Sequence, residues 1–264
     1  MTNARLSLGS SWLLFPVSWA ILLFLIFPTV VVVVLSFSPS IFLDFPPKSL
    51  SLKWFYELAD DPSWLNSGLF SLKIAFLTTI VSLIAGTAAA IAVVRSNLPG
   101  KQLFMACVLI PLIVPHIVVA IAVYLQFAQL GLVGNTLGFV LVHAALTVPY
   151  VILMVSAALQ RLPVTYEMAA LNLGATRQQC FRKITLPLIT PAVLGSGVLV
   201  FVTSFDESVV SYFLSGVTQK TITRRLFEEI DYNISPIIAA ASTAFIIITV
   251  GLMAMLTIFR RRES

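Results

Sequence analysis

The sequence predicts an all-α membrane protein with six transmembrane helices, and three observations carry that prediction. Of 264 residues, 59% are apolar and only 10% are charged, whereas soluble domains carry about a quarter charged residues. Charge-free apolar stretches recur along the chain, each near the roughly 20 residues that a helix needs to cross a bilayer. The basic residues concentrate in alternate connections between those stretches, the pattern that orients a multi-pass chain.

The elements follow in order, within one transmembrane domain, 1–264. The first span is expected at 12–36. Its apolar run is too long for the 7–15-residue core of a signal peptide, and no small-x-small cleavage site follows it, so it reads as an uncleaved helix. The second span, 70–95, has a charge-free centre between Lys73 and Arg95. Residues 102–160 hold no Asp, Glu, Lys or Arg, long enough for two spans. Gly131, Gly134 and Asn135 supply the turn between them, giving spans at 103–129 and 136–160. The fifth is expected at 189–214 and the sixth at 236–260. Pro111, Pro115 and Pro149 fall inside the third and fourth spans, where proline removes a backbone hydrogen bond and kinks the helix. Residues 51–67 mix aromatics with charges and suit a short helix lying at the interface; 216–235 reads as a short polar loop.

Six spans put both termini on one side. That side holds Arg5, Arg95, Lys101, Arg161, Arg177, Arg182, Lys183 and Arg260–Arg262 with almost no acids. The opposite connections mix Lys48, Lys53, Lys220, Arg224 and Arg225 with seven acids, Asp44 and Glu228 among them. The positive-inside rule places the basic side, and both termini, in the cytoplasm. The net charge of +5 therefore reports topology, not a nucleic-acid partner. Cys107 and Cys180 have no metal-site spacing and are read as reduced.

Segment 161–187 is the basic connection that departs most from a plain loop. Glu167, Met168, Ala169, Ala170 and Leu171 are good helix formers. Gly174 follows where helices end in a left-handed residue. Thr176 with Gln179 three residues on is a capping box that starts a second short helix, which Leu186-Pro187 is expected to stop. Read by composition alone, this is a basic inner loop that sets topology.

Its residues also resemble the signature of binding-protein-dependent ABC importer permeases, Glu-Ala-Ala, three residues, Gly, nine residues, Ile, one residue, Leu-Pro. Ala169, Ala170, Gly174, Ile184, Leu186 and Pro187 hold every spacing. Met168 stands where the family has glutamate, and Glu167 lies one residue earlier. The resemblance implies a type I importer fold with a cytoplasmic coupling helix, in which Glu167, Ala169, Ala170, Gly174, Ala175, Ile184, Leu186 and Pro187 meet an ATPase. It implies two ATPase subunits, a second permease subunit, similar or identical, and an external solute-binding protein, in a bacterial inner membrane. ATP and Mg would be bound by the partners, with no cofactor on this chain. In keeping with that, the sequence lacks the G-x-x-x-x-G-K-[ST] loop.

The solute path is less explicit. Asp206 and Glu207 are the acids nearest a span interior, about 28 Å along the helix from Pro187. Buried carboxylates in a membrane usually face a cavity or a partner, and adjacent residues diverge by about 100° on a helix, so one is expected to face the path more directly. The competing reading is that the helix ends early and both acids are interfacial. Over the full length, 54–58, 204–216 and 233–246 resemble the spermidine/putrescine branch of the family. That implies a cationic amine, with Phe205 and Tyr212 contributing cation–π contacts. Opines, phosphonates or amino-acid-like solutes remain alternatives, as do, in other classes, a secondary transporter and a membrane scaffold. His116 and His143 are expected to be structural hydrogen-bonding residues.

Overall fold

The computed structural model describes the backbone of residues 11–262 apart from 43, 98, 217–218 and 233–234, and the side chains of 14–251 apart from those positions and 232. Arg5 and the side chains of Arg260–Arg262, used above for sidedness, lie outside the described residues. Every regular element among the described residues is a helix. The chain divides into two compact units, Met1–Asp61 with Glu229–Ile248, and Pro62–Glu228 with Thr249–Ser264.

In the first unit, α1 (Ser11–Leu35) is the expected first span. A turn closes on Ser36, whose hydroxyl donates to the Val33 carbonyl. Helix α2 (Lys53–Asp60) follows. Its Trp54 is buried, and the indole Nε1 donates to the Ser38 carbonyl at 2.8 Å. Phe55 packs on Phe37 with ring centroids 5.2 Å apart. The single interfacial helix expected over 51–67 is thus two elements, α2 and the start of α3. Pro62 explains the break: it holds Asp61 extended (ψ 107°) and then opens the next helix, where its missing N–H matters least.

The second unit contains α3 (Pro62–Arg95), α4 (Lys101–Ile113), α5 (His116–Gln129), α6 (Thr136–Arg161), α7 (Val164–Asn172), α8 (Arg177–Cys180), α9 (Leu186–Asp206) and α10 (Val209–Leu214). It also holds most of α11 (Ile222–Tyr232), in the stretch read from the sequence as a loop. The last span corresponds to α12 (Ile237–Arg262). Among the described residues, four helices are long and apolar enough to cross a membrane by themselves; α4 and α5, bent by 102° at the break between them, have together the length and apolar character of one broken span or of a re-entrant loop.

Three expected continuities are corrected. The third span, 103–129, is broken because Pro115 forces Val114 into an extended conformation (ψ 132°), and α5 starts afresh at His116. The fifth, 189–214, ends at Asp206; Glu207 is extended (ψ 109°) and the chain restarts as α10. Leu186-Pro187 does not stop the helix before it. Instead α8 runs through a π-helical turn, Phe181–Thr185, into α9. The Leu186 N–H reaches back to the Phe181 carbonyl, five residues earlier. That re-registers the ladder so that Pro187 falls in the first turn of α9.

Helices α3, α6 and α9 pack pairwise and form the core. Thr78, Ser82, Gly86 and Ala90 make a buried stripe of small residues at four-residue spacing on α3. Small side chains let membrane helices approach closely, and here a Cβ on Gly86 would lie 2.6 Å from the Val151 Cβ of α6. Ser82 and Thr147 bridge the same pair of helices at 2.9 Å. The α5–α6 turn is as expected. Gly131 and Gly134 take positive φ (66° and 70°), and Asn135 caps α6 by accepting from the Leu137 N–H.

Candidate functional site

The loop between α6 and α9 is a small folded platform. Helix α7 ends at Gly174, whose φ of 87° suits glycine. The Gly174 and Ala175 N–H groups return to the carbonyls of Leu171 and Ala170. Thr176 and Gln179 form the anticipated reciprocal cap: the Thr176 N–H donates to Gln179 Oε1 at 2.9 Å and the Gln179 N–H to Thr176 Oγ1 at 3.3 Å.

One side chain ties the platform to the bundle. Glu167 Oε2 lies 3.2 Å from Arg95 Nε at the end of α3. This is an ion contact without the alignment of a hydrogen bond. Glu167 Oε1 accepts from Thr185 Oγ1 in the π-helical turn at 2.8 Å. Arg95 Nη2 donates to the Leu162 carbonyl at 3.1 Å, so the same guanidinium also holds the entry to the loop. Met168, at the family's glutamate position, points the other way and is exposed, in company with Val164, Tyr166, Leu171 and Leu173. Of the residues matched to the signature, Ala169, Gly174 and Pro187 are exposed and Ala170, Ala175, Ile184 and Leu186 half-buried. Arg177, Arg182 and Lys183 flank them, exposed. The platform therefore has an inward carboxylate and an outward face of small, apolar and basic side chains.

The far end of α9 is built around a second carboxylate. Asp206 is exposed and Glu207 buried; because α9 ends at Asp206 and Glu207 is extended, the two acids are set apart by the helix break and not by the helical spacing expected. Glu207 Oε1 accepts from the Val210 N–H at 2.9 Å, capping α10, and Glu207 Oε2 lies 3.4 Å from Nδ1 of His116. The Glu207 carbonyl accepts from Thr223 Oγ1. Two helix breaks, after α4 and after α9, thus meet at a His–carboxylate pair. Beside it lies a small cavity of about 10 Å³ walled by His116, His143, Tyr150, Thr203, Ser204 and Glu207, among others. His143 is the structural histidine expected, with Nδ1 2.8 Å from Ser204 Oγ and Nε2 3.5 Å from Ser211 Oγ.

The aromatic members of the expected path do not join this cavity. Phe205 is buried and stacks on Phe201. Tyr212 already carries the protein's own cation: the Arg224 guanidinium sits 3.8 Å over its ring. What sequence reasoning missed is the polar stripe of α6. His143, Thr147 and Tyr150, spaced four and three apart, share one helix face, a signal that could have been read from the sequence.

On the outer flank of this region, α11 is held by Glu228, which pairs with Lys220 at 2.8 Å and Arg224 at 3.0 Å. Burial pushes the Glu228 carboxyl up, but these two cations outweigh it and hold it below its ordinary value.

A bundle of apolar helices carrying a folded basic platform at one end and a polar cavity at broken helices is a multi-pass membrane permease. Residues 82–264 match the family described as binding-protein-dependent transport system inner membrane component, and the chain belongs to that family. It is 29% identical, over 82% of its length and 84% of the relative's, to the spermidine/putrescine transport system permease protein PotC of Haemophilus influenzae. It is 31% identical, over 73% and 71% respectively, to the putrescine transport system permease protein PotI of Escherichia coli. Among solved structures, a bacterial ABC transporter involved in the import of the acidic polysaccharide alginate shares the fold, with a TM-score of 0.77 at 14% identity, over 95% of this chain and 96% of that one.

Proposed function

We propose that this chain lines the path of a small polyamine-like cation in an ABC importer, with a second permease subunit, two cytoplasmic ATPases and an external binding protein as its partners. The chain is a membrane component and not an enzyme; hydrolysis of ATP, with its Mg, belongs to the ATPases. The carrying observation is the platform of α7 and α8. Its exposed Tyr166, Met168, Leu171 and Leu173 lie on a loop rich in arginine and lysine, and this chain leaves them uncovered. Such a face suits a soluble partner. The concentration of basic residues in these connections supports a cytoplasmic position for this loop and both termini. The polyamine reading draws on the relatives' solutes and on the carboxylates at the end of α9, Asp206 and Glu207.

The test is copurification in detergent with the products of neighbouring genes, followed by ATPase assays with candidate binding proteins. A bound ATPase stimulated by a putrescine- or spermidine-loaded binding protein is the expected result. A chain that purifies with no nucleotide-dependent partner overturns the assembly. Stimulation by a different solute overturns the polyamine assignment alone.

A further inference from the structure

Glu207 is held with one oxygen committed and the other half free. Oε1 takes the Val210 N–H at 2.9 Å, while Oε2 has only the His116 imidazole at 3.4 Å, longer than a strong charge-assisted hydrogen bond. His116 is the first residue of α5, directly after the Pro115 break, and 44% of its side chain is exposed. The imidazole therefore has room to leave. Behind it, Thr203 and Tyr150 bring hydroxyls to the cavity wall, and neither has a hydrogen-bond partner among the described residues. The free space at the centre of the cavity is about that of one water molecule.

We infer that His116 occupies the place a solute's primary ammonium takes on Glu207, and that this exchange admits cations able to donate hydrogen bonds. The inference rests on the polyamine reading above. A primary ammonium has three donors and no acceptor. The cavity offers it Glu207 Oε2 and the hydroxyls of Thr203 and Tyr150, in a space of matching size. A quaternary ammonium has no donor and is recognised by aromatic faces. Phe205 and Tyr212 are turned to Phe201 and Arg224, Tyr150 alone cannot make an aromatic cage, and a trimethylated head is too large for the space. His116 thereby acts as a gatekeeper: a charged imidazole competes with the ammonium for Glu207, and a neutral one yields to it. The other ionisable groups around Glu207 are Asp206 from α9, His143 and Tyr150 from α6, Tyr124 from α5 and Tyr212 from α10. Lys220, just before α11, and Arg224 on it are engaged by Glu228. That dependence on the charge of the imidazole gives the gate a pH signature to measure.

The test uses the complete transporter in proteoliposomes, with putrescine-loaded binding protein at saturation, so that the rate and not the capture step is read. Wild-type uptake is expected to fall about fivefold from pH 7.5 to 5.5. His116→Gln should flatten that fall, read as the ratio of the variant's own rates at the two pH values. His116→Lys, a permanent cation on Glu207, should be slow at both pH values. A His116→Gln variant with the wild-type pH profile, or a His116→Lys variant as fast as wild type, overturns the gate. If the wild-type complex takes up no putrescine at pH 7.5, the polyamine reading fails first and the inference falls with it.

Discussion

Glu167 makes a prediction that separates platform geometry from plain topology. The perturbation is Glu167→Gln, which keeps an oxygen for the Thr185 hydroxyl but removes the charge facing Arg95. At 3.2 Å, and with an effective dielectric near 20, the pair attracts with about 5 kcal/mol before desolvation. Both side chains are less than a fifth exposed, so water screens the pair little. Desolvation and the ordering of both side chains offset most of the attraction, and losing one partner of such a pair costs about 2 kcal/mol net. That corresponds to about a 30-fold loss of protection for the amides of α7 and α8, read by hydrogen exchange on the purified protein. Arg95→Gln should do similar damage and also release the Leu162 carbonyl. The double variant should be less than additive by about 1 kcal/mol or more, since the two side chains act through one contact. Less than threefold loss of protection in Glu167→Gln, or full additivity with Arg95→Gln, would refute the claim that this pair holds the platform. In the assembled complex the same variant should lower transport per ATP while the spans stay folded.

Three further outcomes follow from single contacts. Gly174→Ala meets no atom within 4 Å, so its cost is the left-handed backbone alone, about 1–2 kcal/mol of loop stability by hydrogen exchange; Gly174→Trp should in addition detach or uncouple the ATPase, read as transport per ATP. Gly86→Ala drives a methyl into the Val151 Cβ and Cγ1 at 2.6 and 2.8 Å and should cost about 1–3 kcal/mol by thermal unfolding in detergent; Val151→Gly, which removes both atoms, should restore part of it. Glu228 is held below its ordinary value of 4.5, so its contribution is complete above that pH and is lost as pH falls through the lowered value; the Tm should decline in acid, and Glu228→Gln should flatten the decline.

Much of this fold is legible because membrane helices advertise themselves by length and lack of charge. The turn at Gly131, Gly134 and Asn135, the Gly174 terminus and the Thr176–Gln179 cap could be read as well, because each depends on local backbone chemistry. What could not be read was continuity. Pro115 breaks its span outright, whereas Pro187 is absorbed by a π-helical turn, and Pro111 and Pro149 stay within helices. The same residue gives different outcomes because what replaces its lost hydrogen bond is supplied by neighbours in space. The candidate path shows a similar limit. Helical spacing does not set Asp206 and Glu207 apart, because the helix ends between them, and that His116 would close on Glu207 depends on two breaks coinciding, 91 residues apart in sequence. Tyr212 shows the converse: an aromatic suited to a cationic solute is already spent on Arg224.

The continuity of α8 with α9 changes what the platform can do. A helix that stopped at Pro187 would leave a flexible joint between platform and span. Instead Arg177–Asp206 is a single helical stretch of 30 residues, about 45 Å long, with the signature residues at one end and Asp206 at the other. Its π-helical turn is fastened by Thr185 to Glu167 and through it to Arg95. In the importer proposed above, force applied at the platform would reach the Glu207 break along this continuous helix. Glu167 lies on that line although it touches neither the exposed platform face nor the cavity, which is why its removal should uncouple the two ends rather than disable either one.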